Sequence, residues 1–295
     1  MRVHAECYQC FISQAIRSSR LFYSDRDHLL KPAQEVVRVL QDIDVELPPP
    51  LISEEVYGTI RRSLGIDDPY KQIKKKYNDI ALKYEEFAKK QIEQADDPLL
   101  YAVRLALAGN IIDFGSQIGS FSLENTIDEV VRNPLDLTDF ELFKGDLEKS
   151  KRIVLLADNA GEIVFDKILL ETIRGLYPEK ELFVIVRGGP IINDVGLEDA
   201  IYVGMDKIAR VIDSGQLIPG FWPDFAKGEC KAVYESADII ISKGQGNFET
   251  LSEFEDRRIY FLFLIKCGVV AQYLGLKKLS KIFIRNDERW ARLRA

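Results

Sequence analysis

Residues Arg152–Asp166 read RIVLLADNAGEIVFD, and this stretch decides the fold. Ile153 to Ala157 form a continuous apolar run, the pattern of a strand buried on both faces. The run passes straight into Asp158, Asn159, Ala160, Gly161 and Glu162, after which Ile163, Val164 and Phe165 open an apolar helical pattern. Strand, polar turn and helix in immediate succession predict one unit of a parallel α/β sheet. Such sheets bind ligands beyond the carboxyl ends of their strands. A packet of carboxylates with an amide at that place therefore reads as a site.

The same rhythm continues downstream. The runs RIVLLA, ELFVIV, ARVID, ADIIIS, RIYFLFLI and KIFIR alternate with helical segments from residue 151 onward. This predicts a doubly wound, mostly parallel sheet over 151–295. Residues 1–150 read as an α-helical N-terminal region packed beside it. DPYKQIKKKYNDIALKYEEFAKKQIEQA places Ile73, Tyr77, Ile80, Ala81, Tyr84, Phe87 and Ala88 at helical spacing, one stripe on a long helix starting at Asp67, Asp68 and Pro69. Its KQIKKK run reads as a solvated face. ELPPPLISEEVYGTIRRSLG predicts a proline-rich turn and a helix capped by Ser53 and ended by Gly65.

Composition narrows the class. With 46% hydrophobic and 29% charged residues, the chain has the apolar content for a large core. A net charge of −7 argues against a general nucleic-acid binder, although one cationic pocket or a metal still admits acidic substrates. MRVHAECYQC carries no apolar export segment, and IYFLFLI, cut off by Lys266, is too short to span a bilayer. A cytoplasmic protein with no membrane partner is expected. Nothing in the sequence bears on oligomeric state. Cys7 and Cys10 form a C-x-x-C pair that suits redox chemistry, metal binding or plain packing, and no second pair at zinc-site spacing exists.

Polar residues gather at the ends of the predicted strands. Asp158 and Asn159 follow the first, and Arg187, Gly188, Gly189, Asn193 and Asp194 the second. Ser242, Lys243, Gly244, Gln245, Gly246, Asn247 and Glu249 follow ADIII, and Lys266 and Cys267 follow IYFLFLI. Asp and Asn oxygens favour a hard or borderline divalent ion, and with only His4 and His28 in the chain a histidine-rich zinc centre is nearly excluded. The helix start at Gly161 suits a phosphate, and Lys243 or Lys266 suits its charge. Each feature also has a plainer reading. Asp158 and Asn159 can simply cap the next helix, Glu162 can be a first-turn acid, and KGQGN can be a glycine-rich turn. Lys266 resists such a reading, since a lysine after seven apolar residues is costly to bury unpaired.

Taken together, LADNAGEIVFD, VRGGPIINDV, KGQGNFETL, LIKCGVVA, AGNIIDFG and CYQC resemble the DUF89 family, the ARMT1-like damage-control phosphatases. The likeness spans nearly the whole chain and is strongest to the prokaryotic branch with an N-terminal CxxC. It implies a three-layer α/β/α core, an N-terminal helical region and a metal-dependent phosphatase, a phosphoric monoester hydrolase. Its substrates would be small phosphorylated metabolites: sugar phosphates, or damaged nucleotide or cofactor phosphates. The implied metal ligands are Asp158, Asn159 and Asp194, with Lys266 on the phosphate. Manganese, cobalt, nickel or magnesium are the implied ions. Gln245, Gly246, Asn247, Phe248 and Glu249 would line the substrate pocket with Glu162, joined by Asn110 and Asp113 from the helical region. Asp194 or Glu249 would orient or deprotonate the water. Cys267 beside Lys266 raises the prospect of a redox-sensitive or soft-metal cluster with Cys7 and Cys10.

Two other classes compete. An S-adenosylmethionine-dependent carboxyl methyltransferase shares the sheet type, but DNAGE and VRGGP fit its glycine-rich loop poorly. A non-enzymatic module would hold a phosphorylated ligand without turnover.

Overall fold

The structure is a computed structural model in which residues 1–111 and 131–287 are described. One sheet is built from β1 (Leu137–Thr138), β2 (Arg152–Leu156), β3 (Glu181–Val186), β4 (Arg210–Asp213), β5 (Ile239–Lys243), β6 (Ile259–Leu264) and β7 (Lys281–Arg285). Their order is β1-β7-β6-β5-β2-β3-β4. The segment β6-β5-β2-β3-β4 is parallel throughout, whereas β7 runs antiparallel to β6. From β2 the chain winds outward through β3 and β4, then returns to the other side of β2 to make β5. The switch point therefore lies between β2 and β5, where the connecting loops diverge and leave a crevice.

Both faces are covered. Along β2, Ile153 and Leu155 enter one apolar cluster, Val154 and Leu156 the other, as the two-residue repeat of a strand requires. The first cluster takes residues from α4 (Lys71–Leu82), α5 (Glu85–Glu93), α6 (Pro98–Ile111), α7 (Phe140–Lys149), α8 (Glu162–Leu176) and α9 (Leu197–Tyr202). The second takes them from α10 (Gly228–Glu235), α11 (Gln245–Leu251) and α12 (Gly268–Leu274). Helix, sheet and helix make three layers of an α/β fold. Each fully buried Leu, Ile, Val or Phe side chain contributes about 1.5–3 kcal/mol, so the two clusters dominate stability. A third cluster joins α1 (Ala5–Arg20), α2 (Arg26–Val39) and α3 (Pro49–Leu64), with Ile191 reaching in from the loop after β3.

The six strands read from the sequence are all present, and β1 is added. This two-residue strand pairs with β7 and has no periodicity to betray it. It lies before residue 150 in the chain, and α4, α5 and α6 pack in the sheet's own cluster. The expected long helix after Pro69 is two helices. Lys83 and Tyr84 donate to Ile80 O and Ala81 O in tightened turns, and the chain bends there. The bend brings Glu85 onto the buried Lys167 of α8, at 2.9 Å. Helix α3 begins earlier than expected, with Pro49 and Pro50 in its first turn. Ser53 is inside the helix, its hydroxyl donating to Pro49 O at 3.0 Å. Gly65 ends it in the left-handed conformation, as expected. No described helix is long and apolar enough to cross a membrane.

Candidate active site

At the carboxyl end of β2 the chain does not cap the next helix with side chains. Gly161 stands at the N-cap of α8 with no side-chain hydrogen bond, at φ 81°. The capping reading of Asp158 and Asn159 is thereby removed. Residues 158–160 instead pair with the loop after β3. Val195 N donates to Asp158 O, Ala160 N donates to Asn193 O (2.9 Å each), and Asn159 bridges Asp194. This short ladder fixes Asp194 opposite the Asp158–Asn159 pair.

The side chains then converge. Asn159 Nδ2 donates to Asp158 Oδ2 at 2.6 Å and to Glu162 Oε2 at 3.0 Å. The buried guanidinium of Arg187, from the end of β3, donates through Nε to Asp194 Oδ2 at 2.7 Å. Its other nitrogens reach Gly220 O at 2.9 Å and Asn247 Oδ1 at 3.1 Å, and lie 3.5 Å from Asp158 Oδ1. On the β5 side, Gly244 lies against the Asp158 carboxylate: a Cβ there would fall 2.1 Å from Asp158 Cγ. Lys243 is wholly buried beneath, donating to Glu162 Oε1 and Asp166 Oδ1 at 2.6 Å each and to Ala106 O at 2.9 Å.

Electrostatics set this cluster apart. Asp158, Glu162, Asp166 and Asp194 are at most 7% exposed and face two buried cations, Lys243 and Arg187, so with all four ionised the cluster carries an excess of two negative charges. Burial, with Glu162 and Asp194 adding repulsion, pushes the Asp158 carboxyl up to about 7. Burial also raises Asp194, against the pull of Arg187. Burial pushes Glu162 up as well, but Lys243 and Lys266 outweigh it and hold its carboxyl below the usual range. Asp166 rises to about 7, chiefly through burial, and its Oδ2 has no hydrogen-bond partner among the described residues. Among the described residues no three His, Cys, Asp or Glu side chains converge as a ligand set. A cation here would therefore take two carboxylates and an amide oxygen, a hard donor set that fits a divalent ion and answers the charge excess.

Several expectations change at this point. Lys266 is exposed, not buried, so its burial cost does not arise; its charge still acts on Asp158, Glu162 and Asp194. Lys243 is spent on Glu162 and Asp166 and is not open to a phosphate. Two of the amides expected to cradle phosphate are also occupied: Gly161 N donates to Asn78 Oδ1 at 2.6 Å and Ile163 N to Asn159 O at 3.2 Å. Phe248 belongs to the core, packed on Phe261 and Phe263 with ring centroids 5.0 and 4.8 Å away. Asn247 is fully buried and donates to Lys243 O at 2.7 Å. Gly246 is pressed on the Pro219 carbonyl, where a Cβ has no room. Phe248 and Asn247 thus point inward, and all three shape the turn.

Gln245 and Glu249 sit at the rim. Gln245 Nε2 donates to Glu249 Oε1 at 2.7 Å and to Cys267 Sγ at 3.4 Å, while its Oε1 accepts from Lys266 N at 2.9 Å. Burial pushes the Glu249 carboxyl to about 7. Cys7 and Cys10, one turn apart on α1, lie within electrostatic range of Glu249 and Cys267. All four cysteines are free thiols. Asp113 and the Asn110 side chain lie outside the described residues. The role of Arg187 was not read from the sequence, where only its place after an apolar strand hints at it.

A sequence model of the damage-control phosphatase ARMT1-like domain matches residues 3–282. The chain belongs to that family. It is 32% identical to a damage-control phosphatase of Pyrococcus horikoshii over 287 residues, 97% of this chain and 99% of that one. A damage-control phosphatase of Archaeoglobus fulgidus is 31% identical, covering 94% and 96%. An uncharacterised protein of Methanocaldococcus jannaschii is 33% identical, covering 94% and 93%. The crystal structure of a DUF89 family protein from Pyrococcus horikoshii superposes with a TM-score of 0.89 at 32% identity, over 97% of this chain and all of that one. As an ARMT1-like family member the protein carries its acidic cluster at the sheet's switch point. Beside that cluster, past Arg187, opens a cleft of about 550 Å³ lined in part by Lys71, Lys75, Gly188, Gly189, Glu198 and Tyr202.

Proposed function

We propose that this ARMT1-like protein is a metal-dependent phosphatase acting on phosphomonoesters of small metabolites. Sugar phosphates and damaged nucleotide or cofactor phosphates are the substrate classes, and metabolite damage control is the role. The reading is supported above all by the convergence of Asp158, Asn159 and Asp194 inside a buried site where carboxyl groups outnumber cations by two. These residues would hold Mn²⁺, Co²⁺, Ni²⁺ or Mg²⁺. When bound, a divalent ion supplies Lewis acidity to a phosphoryl oxygen and makes a water more acidic.

The protein's own groups do the rest. Arg187 holds the Asp158 and Asp194 carboxylates at fixed separation, so no reorganisation is needed as charge develops. Lys266, exposed at the end of β6, is free to meet a phosphate from solvent, its backbone N–H anchored by Gln245. Asp194, held by Arg187, or Glu249, with its raised carboxyl, would orient the attacking water. Two carboxylates and an amide support metal-assisted hydrolysis over methyl transfer, which has no use for them.

The decisive experiment measures phosphate release from p-nitrophenyl phosphate and a panel of phosphorylated metabolites with each metal. Asp158→Ala should abolish turnover while circular dichroism stays that of the parent. Activity that survives both this change and EDTA would exclude the mechanism. Tight binding without phosphate release would instead indicate a binding module.

A further inference from the structure

Glu162 shares with Asp166 a place away from solvent, beneath the Asp158–Asn159 turn, and of the two it is the one that touches Asn159. It is 1% exposed and roofed by α6, where Gly109 leaves just enough space: a Cβ there would stand 3.2 Å from Glu162 Cγ. One oxygen takes the Lys243 ammonium at 2.6 Å and the other takes Asn159 Nδ2 at 3.0 Å. Asn159 Nδ2 also serves Asp158 Oδ2 at 2.6 Å. Glu162 is a carboxylate ion-paired with Lys243, so the amide beside it has one admissible orientation, with nitrogen toward Glu162 and oxygen away, because a reversed amide would face oxygen with oxygen. Asn159 Oδ1 receives no hydrogen bond among the described residues, which leaves its lone pairs for a cation.

We infer that Glu162 is a positioning residue for the metal site: through the Asp166–Lys243–Glu162 chain it locks the Asn159 amide with its oxygen presented to the ion. This inference rests on the metal reading above and replaces the expectation that Glu162 lines the substrate pocket. The chain is built for the task. Lys243 neutralises Glu162 from the side opposite Asn159, and Asp166 on the next turn of α8 fixes Lys243 at 2.6 Å. Partners that orient a ligand in this way typically govern metal affinity more than substrate contact.

The test compares Mn²⁺ affinity, read by the electron paramagnetic resonance of free Mn²⁺, with KM for p-nitrophenyl phosphate at saturating Mn²⁺. Glu162→Gln keeps the reach but not the charge. Lys243 claims its carbonyl oxygen, its NH₂ then faces the Asn159 amide nitrogen, and Asn159 is driven to flip. Glu162→Asp keeps a carboxylate for Lys243, which preserves folding, but withdraws it from Asn159. Both variants should bind Mn²⁺ about 10- to 100-fold more weakly, with KM unchanged. Parental Mn²⁺ affinity in both variants, with KM raised, would overturn the inference and make Glu162 a substrate contact. A parent chain that takes up no Mn²⁺ fails the metal reading itself, a result separate from either.

Discussion

Gly244 and Asp158 touch across the switch point of the sheet, with no room between them for a methyl group. Gly244 also holds φ 81°, a conformation that a residue with a Cβ adopts at a cost of about 1–3 kcal/mol. The glycine after β5 therefore exists for the carboxylate after β2. Gly244→Ala is expected to displace Asp158 and to lower stability by about that amount. Equilibrium urea unfolding reads the second effect. Metal-dependent phosphatase activity should fall further than the modest stability loss explains.

Arg187 gives a second prediction. Its guanidinium holds Asp194, touches Asp158 and ties both to Gly220 and Asn247. Arg187→Met removes one of two buried cations and should destabilise the metal-free protein by about 3–5 kcal/mol. Saturating Mn²⁺ should return a good part of that loss, because an ion that binds only the folded state stabilises it and supplies the missing positive charge. Unfolding curves with and without metal would settle the matter: equal losses in both conditions would mean that Arg187 and the ion act independently. Arg187→Lys should not rescue, since one ammonium cannot reproduce a planar fork that serves several acceptors.

Acidity provides a third. The Asp158 carboxyl, at about 7, lies above the ordinary Asp value of about 3.9. Between those values the folded chain keeps a proton that the unfolded chain has lost. This contribution to stability is full at low pH and is lost as pH rises through about 7, and Asp166 acts in the same direction. In EDTA, these groups should therefore make the protein less stable at pH 8 than at pH 5.5. A divalent ion must displace the same proton, so Mn²⁺ affinity should climb about tenfold per pH unit up to about 7 and then level off. Isothermal titration calorimetry across pH 5 to 8 is the check, and a flat profile counts against Asp158 as a ligand.

The parts legible in the sequence share one physical cause. Strands buried on both faces must be continuously apolar, so β2, β3, β5 and β6 announce themselves, and the rule that ligands sit beyond strand ends marks the polar residues after them, among which the DUF89 resemblance singles out Asp158, Asn159 and Asp194. What escaped depends on neighbours distant in the chain. The bend at Lys83–Tyr84 is set by Lys167, 82 residues beyond its partner Glu85. Arg187 acquires its role only where three loops meet. The resemblance assigns Phe248 and Asn247 to the pocket, yet a helix starting at Gln245 points them into the core and the strand ends.

The two lysines that end apolar strands show this most sharply and carry the last prediction. IIISK and LFLIK look alike, yet Lys243 is 0% exposed and Lys266 stands in solvent. The difference comes from α6, whose Ala106 carbonyl closes over Lys243 and nothing comparable over Lys266 among the described contacts. Lys243→Met would leave Glu162 and Asp166 buried against each other without their cation, a loss of about 3–5 kcal/mol. Lys266→Met should leave thermal unfolding within about a degree of the parent, because an exposed side chain away from packing contributes within about 0.5 kcal/mol. It should instead lower kcat/KM for phosphomonoesters by about 10- to 100-fold, the worth of one charge-assisted contact of about 1.5–3 kcal/mol to the phosphoryl group. Differential scanning calorimetry and steady-state kinetics on the pair would separate the roles. A Lys266 variant with parental kcat/KM would remove the phosphate contact from the proposed mechanism while leaving the proposed metal ligands standing.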